Sequence, residues 1–427
     1  MSLRSAHPDH KARRVVVTGI GMVTPFGVGR ETSWRGLLSG ESATRRVGDG
    51  IGAPAPKELE AEIPGIWEIP GIWDPLIQLA LISAAEAVQD AALNPADAES
   101  TRIGCVIGTS KPALRTFAAM FDAFRKGRMG SQSIPRGGES TIGPTDLLSV
   151  FPNAAASAVA REFGLAGPCL CPVAACATGL VCLQRGFELV RDGDCDVVLA
   201  GSSDASLVPI VAASFRRMGV LAKNVDDPAT ACRPFDANRS GFVIGEGAAV
   251  LVLERVEHAQ ARGASVYAEW LGGGMASDGA TLTGLDGNGD ALARLIADVL
   301  RRADVDAADV DYVNLHGTAT RQNDPYETRA LKRALGRCTD DVACSSLKGA
   351  VGHLLGAAGS VETAATLLAM RDAVIPPTAN LETADPACDL DYTPQTSRSR
   401  TIRTALKLSL GFGGHLAAAA FAAPGRG

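Results

Sequence analysis

Residues 172–203 read PVAACATGLVCLQRGFELVRDGDCDVVLAGSS. After Cys176, the residues Leu180, Leu183, Phe187 and Val190 recur at helical spacing, with Arg185, Glu188 and Arg191 between them. That pattern predicts a helix with one apolar face, and Gly193 suits its C-terminal cap. The run CDVVLAGSS (195–203) then reads as a buried strand. A helix feeding a buried strand is the repeating unit of an α/β fold. Cys176 falls at or near the first turn of the helix, where Ala174, Ala175 and Ala177 leave room around its sulfur. A helix N-terminus offers unpaired N–H groups and a positive dipole end. Both favour a thiolate, the nucleophilic form of cysteine. The plainer alternative is a structural cysteine, since free cysteine is among the most buried residue types.

The same alternation runs outward in both directions. RRVVVTGIG (13–21) reads as an opening strand and AAVLVLERV (248–256) as another, followed by a short helix that Gly263 stops. SVYAEWLGGG (265–274) opens a second half with a strand into glycines, much as the first half opens. Two further strands, within DYVNLHGTAT and VACSSLKGAVGHLLGAAG, run directly into glycine-rich loops. The expected organisation is therefore duplicated, with one half over 13–260 and the other over 261–427. Residues 63–73 carry a tandem copy, IPGIWEIPGIW, best read as a local duplication in a surface loop. The segment 111–150 mixes a short amphipathic helix with a glycine-rich loop.

Composition narrows the function. The chain has 427 residues, 46% of them apolar, and a net charge of −6. That is ample for a large core, and no basic run points to nucleic acid. The first apolar run, Val15 to Ile20, is too short for a signal peptide or a membrane span, so a cytoplasmic protein away from membranes is expected. Ten cysteines in a chain this long are not a disulfide scaffold. Cys169, Cys171, Cys176 and Cys182 lack the spacing and the nearby histidines of a zinc site. VTGIGMVTPFG resembles a dinucleotide loop, but Thr24 stands where the third glycine belongs. There is no G-x-x-x-x-G-K loop and no G-x-S-x-G elbow.

Histidine is scarce, with six in all. Three of them, His316 (NLHGTAT), His353 (SLKGAVGHLLGAAG) and His415 (LGFGGHLAA), sit in glycine-rich loops after strand-like runs. Glycine lets the backbone approach a ligand closely, and such loops commonly carry catalytic groups. Together with a helix-start cysteine these residues form a candidate nucleophile and acid–base set.

The motifs taken together resemble the β-ketoacyl synthases of the thiolase superfamily, most of all the elongating, type II β-ketoacyl-acyl-carrier-protein synthases. The resemblance runs from Arg13 to about Phe421. AACATG resembles the nucleophile motif, RPFDANRSGFVIGEGAAVLVLE (233–254) the middle signature, HGTAT and LKGAVGHLLGAAGSVE the two histidine motifs, and GFGG the last loop. Chain-starting relatives pair the cysteine with His and Asn, and degradative thiolases use a second Cys; Cys176, His316 and His353 follow the elongating pattern.

The resemblance implies a thiolase-like fold, a duplicated αβαβα five-layer architecture with mixed central sheets. It implies a decarboxylative Claisen condensation between an acyl chain held on Cys176 and malonyl-carrier protein, in fatty-acid, type II polyketide or other specialised lipid synthesis. The N–H groups of Cys176 and Phe412 are then the oxyanion hole, with Phe412 also a gate. His316 and His353 face the malonyl thioester, and Lys348 supports His353. Glu362 is a structural ion-pair residue, Thr318 and Thr320 hold the phosphopantetheine arm, and Phe215 lies near the acyl pocket. No metal or redox cofactor is implied, because the phosphopantetheine arrives on an acyl carrier protein. A homodimer is expected, or a heterodimer with a related subunit. The alternative is a non-catalytic chain-length-factor subunit, which keeps the fold and lacks the cysteine. This chain departs from the family at His415 and Leu416, where an asparagine is usual, and at Lys111 and Pro112, where small glycine-rich residues are usual near the acyl tunnel.

Overall fold

The structure is a computed structural model and describes residues 13–60, 74–97, 99–126, 146–223 and 226–425. The tandem copy at 63–73, with Trp67 and Trp73, and the glycine-rich loop over 127–145 lie outside the described residues.

The six strands expected from apolar runs form, and Ile103–Gly108, Cys169–Leu170, Thr404–Gly411 and His415–Ala422 join them. In order across the sheet they are Ala343–Ser345, Tyr312–Asn314, Thr404–Gly411, His415–Ala422, Ala268–Ser277, Val15–Thr24, Gly247–Arg255, Val197–Asp204, Ile103–Gly108 and Cys169–Leu170. Val15–Thr24 pairs along most of its length with Gly247–Arg255, but meets Ala268–Ser277 only through Val15, Val16 and Val17. This short seam divides that ten-strand path into two runs of five with one pairing pattern, and the short strand Gly27–Val28 adds to Val15–Thr24 off the path. Outward from the seam, each part runs through two antiparallel pairings and then two parallel ones. The inner strands are covered on both faces, so they read as near-continuous apolar runs rather than alternating ones.

Helices Thr178–Arg191 and Ala358–Asp372 pack on each other and touch strands of both parts, forming a central layer. Pro75–Asp90 and Ala154–Glu162 cover the outer face of the first part; Asp290–Ala303, with Asn323–Leu335 beside it, covers the second. The result is five layers, helix–sheet–helix–sheet–helix. Ala358–Asp372 is buried from Ala358 to Met370, the state expected of a helix with no polar face.

The two central helices meet at their starts. A Cβ on Gly179 would lie 2.4 Å from the Ser360 nitrogen, and one on Gly359 would lie 2.4 Å from the Leu180 nitrogen. Each helix follows a short 3-10 turn, Ala175–Ala177 in one half and Leu355–Ala357 in the other. Each turn opens on a non-glycine residue with positive φ, 48° at Ala175 and 51° at Leu355. Cys176 and Gly356 therefore occupy matching positions in the two halves. No helix among the described residues is long and apolar enough to cross a membrane.

Because backbone sits where a methyl would go, Gly359→Ala is expected to lower stability by about 1–3 kcal/mol, the usual cost of overpacking, measured as a fall in the denaturant midpoint.

Candidate active site

Cys176 sits on the turn that opens the first central helix. Thr178 clamps the turn: its Oγ1 donates to the Ala175 carbonyl at 2.7 Å and accepts the Ala174 N–H at 2.9 Å. The end of strand Thr404–Gly411 comes in from the second half. A Cβ on Gly411 would lie 2.5 Å from the Ala174 carbonyl oxygen and 3.2 Å from the Cys176 nitrogen. Only a glycine permits that approach, and it brings the next residue, Phe412, into the same cavity as Cys176.

The histidines arrive on two loops of the second half. His316 follows strand Tyr312–Asn314. Its N–H and that of Gly317 donate to the Glu327 carboxylate at 2.7 and 2.6 Å, and Asn323 Nδ2 adds a third bond at 2.7 Å. Burial still pushes the Glu327 carboxyl up to about 7, although those bonds oppose it. His353 lies edge-on to Phe242, with ring centroids 5.0 Å apart, and edge-on to His316 at 5.3 Å.

Beneath them lies an ion cluster. Lys348 and Lys407 both point at Glu362, with Nζ–O distances of 2.5 and 2.8 Å, and all three side chains are buried. Two ammoniums on one carboxylate leave an excess positive charge. Lys348 also donates to the His316 carbonyl and lies 3.5 Å from His316 Nδ1. Burial first, and the nearby Lys348 second, hold both imidazoles well below the usual histidine range. Both rings are therefore neutral near pH 7.

Their tautomers follow from their partners. An ammonium only donates, so Lys348 beside His316 Nδ1 makes that nitrogen the acceptor. The Leu355 N–H does the same at His353 Nδ1, at 3.3 Å. These assignments rest on the hydrogen-bond network, and they leave Nε2–H as the donor on each ring.

The expectation of a thiolate favoured by the helix start is corrected. Burial pushes the Cys176 thiol up to about 11, against the pull of Lys111 and Lys348. The regular helix begins only at Thr178, and enclosure of the sulfur outweighs nearby positive charge.

Cys176, His316, His353, Phe412, Thr318 and Thr320 line one cavity of about 500 Å³. The two threonine hydroxyls are 3.0 Å apart. Phe215 stands outside its lining, packed edge-on against Phe242 and 6.4 Å from Phe412. His415 is exposed, opposite Ser277 at the start of the last strand, and outside the cavity. Sequence reasoning missed Phe242, Met218 and Asn323 in the lining. It also missed Arg239, which donates to the Thr320 carbonyl at 3.0 Å and pairs with Asp324 at 3.6 Å. The signal for Arg239 and Phe242 was the 233–254 signature itself, which spans both. Among the described residues, no cluster of three or more His, Cys, Asp or Glu is arranged to hold a metal ion.

A duplicated five-layer fold whose two halves bring a cysteine and two histidines to one cavity places the chain among the thiolase-like proteins. The β-ketoacyl synthase N-terminal domain model matches residues 12–259, and the C-terminal domain model matches 267–382. The chain is 41% identical to the tetracenomycin polyketide synthase ketoacyl synthase alpha subunit of Streptomyces glaucescens, over 97% of this chain and 98% of that one. It is 34% identical to 3-oxoacyl-[acyl-carrier-protein] synthase 2 of Coxiella burnetii, over 94% and 96%. It superposes with a TM-score of 0.86, at 34% identity and over 97% and 100% of the chains, on a chain from a type II polyketide synthase acyl-carrier protein in complex with its ketosynthase bound to the hexaketide. The chain belongs to the β-ketoacyl synthase family and is a condensing acyltransferase.

The ion cluster is testable on its own. Removing one partner from a buried charge group typically costs about 3–5 kcal/mol. Glu362→Ala, which leaves two buried ammoniums uncompensated, is expected to lose that much, read from chemical denaturation.

Proposed function

We propose that this chain is the catalytic ketosynthase of a type II system, condensing an acyl chain on Cys176 with malonyl-carrier protein. The observation that carries the reading is a pair of neutral, Nε2–H-donating histidines in one cavity with a buried cysteine.

In the first half-reaction, Cys176 Sγ attacks the thioester carbonyl of an acyl-carrier protein. A new C–S bond forms, the bond to the carrier's sulfur breaks, and the thiol proton leaves with the carrier's thiol. The Cys176 and Phe412 N–H groups, brought together by the Gly411 approach, stabilise the oxyanion. In the second half-reaction, the malonyl C–C bond breaks, CO₂ departs, and its electron pair moves into the thioester enolate. The Nε2–H groups of His316 and His353 hydrogen-bond the enolate oxygen. A neutral imidazole suits this role, since it donates without an anionic partner to compete for the bond. The carbanion then attacks the acyl-cysteine, and the sulfur leaves and regains a proton.

The 500 Å³ cavity accommodates the phosphopantetheine arm, with Thr318 and Thr320 as its hydrogen-bonding partners and Phe412 as the gate. Phe215 acts from behind, bracing Phe242 and Phe412. Lys348 orients His316 directly and favours neutral imidazoles at both histidines. Each half, 13–260 and 261–427, is a thiolase-like unit, the first supplying the nucleophile and the second both histidines. No metal or redox group enters either step. The polyketide relative at 41% identity supports a polyketide rather than a housekeeping fatty-acid role. Cys176 in the cavity supports a catalytic subunit over a chain-length-factor-like partner. The enzyme works in the cytoplasm with a soluble acyl carrier protein.

The second copy in a dimer covers an apolar surface. Helix Leu114–Arg125 turns its aromatic stripe outward, with Phe117, Phe121 and Phe124 at 54, 55 and 63% exposure. Leu148, Phe151 and Val173 are exposed as well. The edge strand Cys169–Leu170 ends the sheet, with Val173 just beyond it.

Cys176→Ala is expected to abolish the one-acyl mass gain on incubation with acyl-carrier protein while the protein stays folded; retained acylation would refute the nucleophile. His316→Ala and His353→Ala are expected to keep that mass gain but to release CO₂ from malonyl-carrier protein about 10²-fold or more slowly, and normal release would refute the division of roles. Light scattering should give twice the chain mass for the wild type and the single chain mass for Phe121→Glu. A single-chain wild type that doubles only with a related subunit would replace the homodimer with a heterodimer.

A further inference from the structure

The condensing chemistry above makes no use of a polar cluster packed against the Gly356 turn. Asp204 ends strand Val197–Asp204, and its carboxylate is fully buried. It accepts the hydroxyls of Ser110 and Ser206 and, at 3.0 Å, the Gly356 N–H. Those three bonds satisfy the carboxylate without a cation. Lys111 is nevertheless held beside it, with Nζ 2.5 Å from Ser110 Oγ and 3.7 Å from Asp204 Oδ2.

The backbone places this cluster between the two matching turns. At Gly108, where the strand leading to Ser110 ends, a Cβ would lie 2.5 Å from the Pro172 carbonyl and 2.7 Å from Thr178 Cγ2, on the Cys176 side. At Gly356, the counterpart of Cys176, a Cβ would lie 2.4 Å from the Ser110 nitrogen and 2.9 Å from Asp204 Oδ2. Lys111 thus comes from a different element than Lys348. Lys348 shares Glu362 with Lys407, whereas Lys111 is held by Ser110 and Asp204.

We propose that Lys111 is a positioning residue, anchored by Ser110 and Asp204 so that its ammonium stands as a fixed positive charge behind Cys176 and favours the thiolate during acyl transfer. This rests on the reading that Cys176 is the acylated nucleophile. The charged groups acting on the sulfur are Lys111, Lys348, Asp204 and Glu362, with Lys111 the largest charge effect; His316 and His353 share the cavity and are neutral. The same ammonium helps to keep His353 neutral. Losing a cation disfavours the thiolate, so the pH at which Cys176 becomes reactive should rise.

The test is the rate of iodoacetamide alkylation of Cys176 in the full chain, followed by peptide mass from neutral to alkaline pH. Lys111→Met is expected to slow alkylation near neutral pH about tenfold, one pKa unit's worth, and to move the profile to higher pH. Lys111→Arg should restore both. An unchanged profile in Lys111→Met would overturn the proposal. Thermal midpoints of each variant confirm folding, and if Lys111→Met does not fold, Lys111→Gln serves in its place. Wild-type protein given acyl-carrier protein in parallel separates the two claims. Absent acylation of Cys176 refutes the nucleophile reading, whereas acylation with a Lys111-independent profile refutes only the role of Lys111.

Discussion

Contact between the starts of two helices organises this molecule. Gly179 and Gly359 let the backbone of each central helix reach the other where any side chain would collide. The cysteine turn and the turn after His353 are consequently pinned against each other, one from each half. Burial holds the arrangement: both helices lie between two sheets, and the second is enclosed along nearly its whole length. The positive φ at Ala175 and Leu355 is strain of the kind that persists only where surrounding structure overdetermines it.

A second consequence of enclosure is electrostatic. Burial by itself raises a thiol's pKa and lowers an imidazole's, and the Lys348–Glu362–Lys407 cluster adds positive charge in the same region. For the histidines the two effects agree, and both rings are neutral donors. For Cys176 they oppose, and burial wins at rest. The site thus stores its nucleophile as a thiol, and the Lys111 and Lys348 cations favour negative charge once it forms on sulfur.

The outward aromatic stripe of Leu114–Arg125 shows where amphipathicity misleads. Its helical spacing is plain in the sequence, and a helix with an apolar face is normally expected to turn that face to its own core. Here the stripe is exposed instead, with Phe117, Phe121 and Phe124 each more than half exposed.

The sequence by itself determined the alternation of strands and helices, the existence and apolar face of the cysteine helix, and the presence of one cysteine and three histidines in motif loops. Apolar runs and helical spacing are local, and buried strands have little freedom to read otherwise. It also carried the family signature, although not what that signature does: Arg239, within it, holds the Thr320 carbonyl. The family motifs singled out His316 and His353, and the tertiary structure brings both into one cavity with Cys176 and leaves His415 outside it. Tertiary structure alone set the protonation of Cys176, because desolvation depends on what encloses the sulfur, not on its neighbours in sequence. The pairing of Glu362 with Lys348 and Lys407, and of Lys111 with Asp204, joins residues from separate elements. Such contacts are a property of packing, and no local pattern of residues announces them.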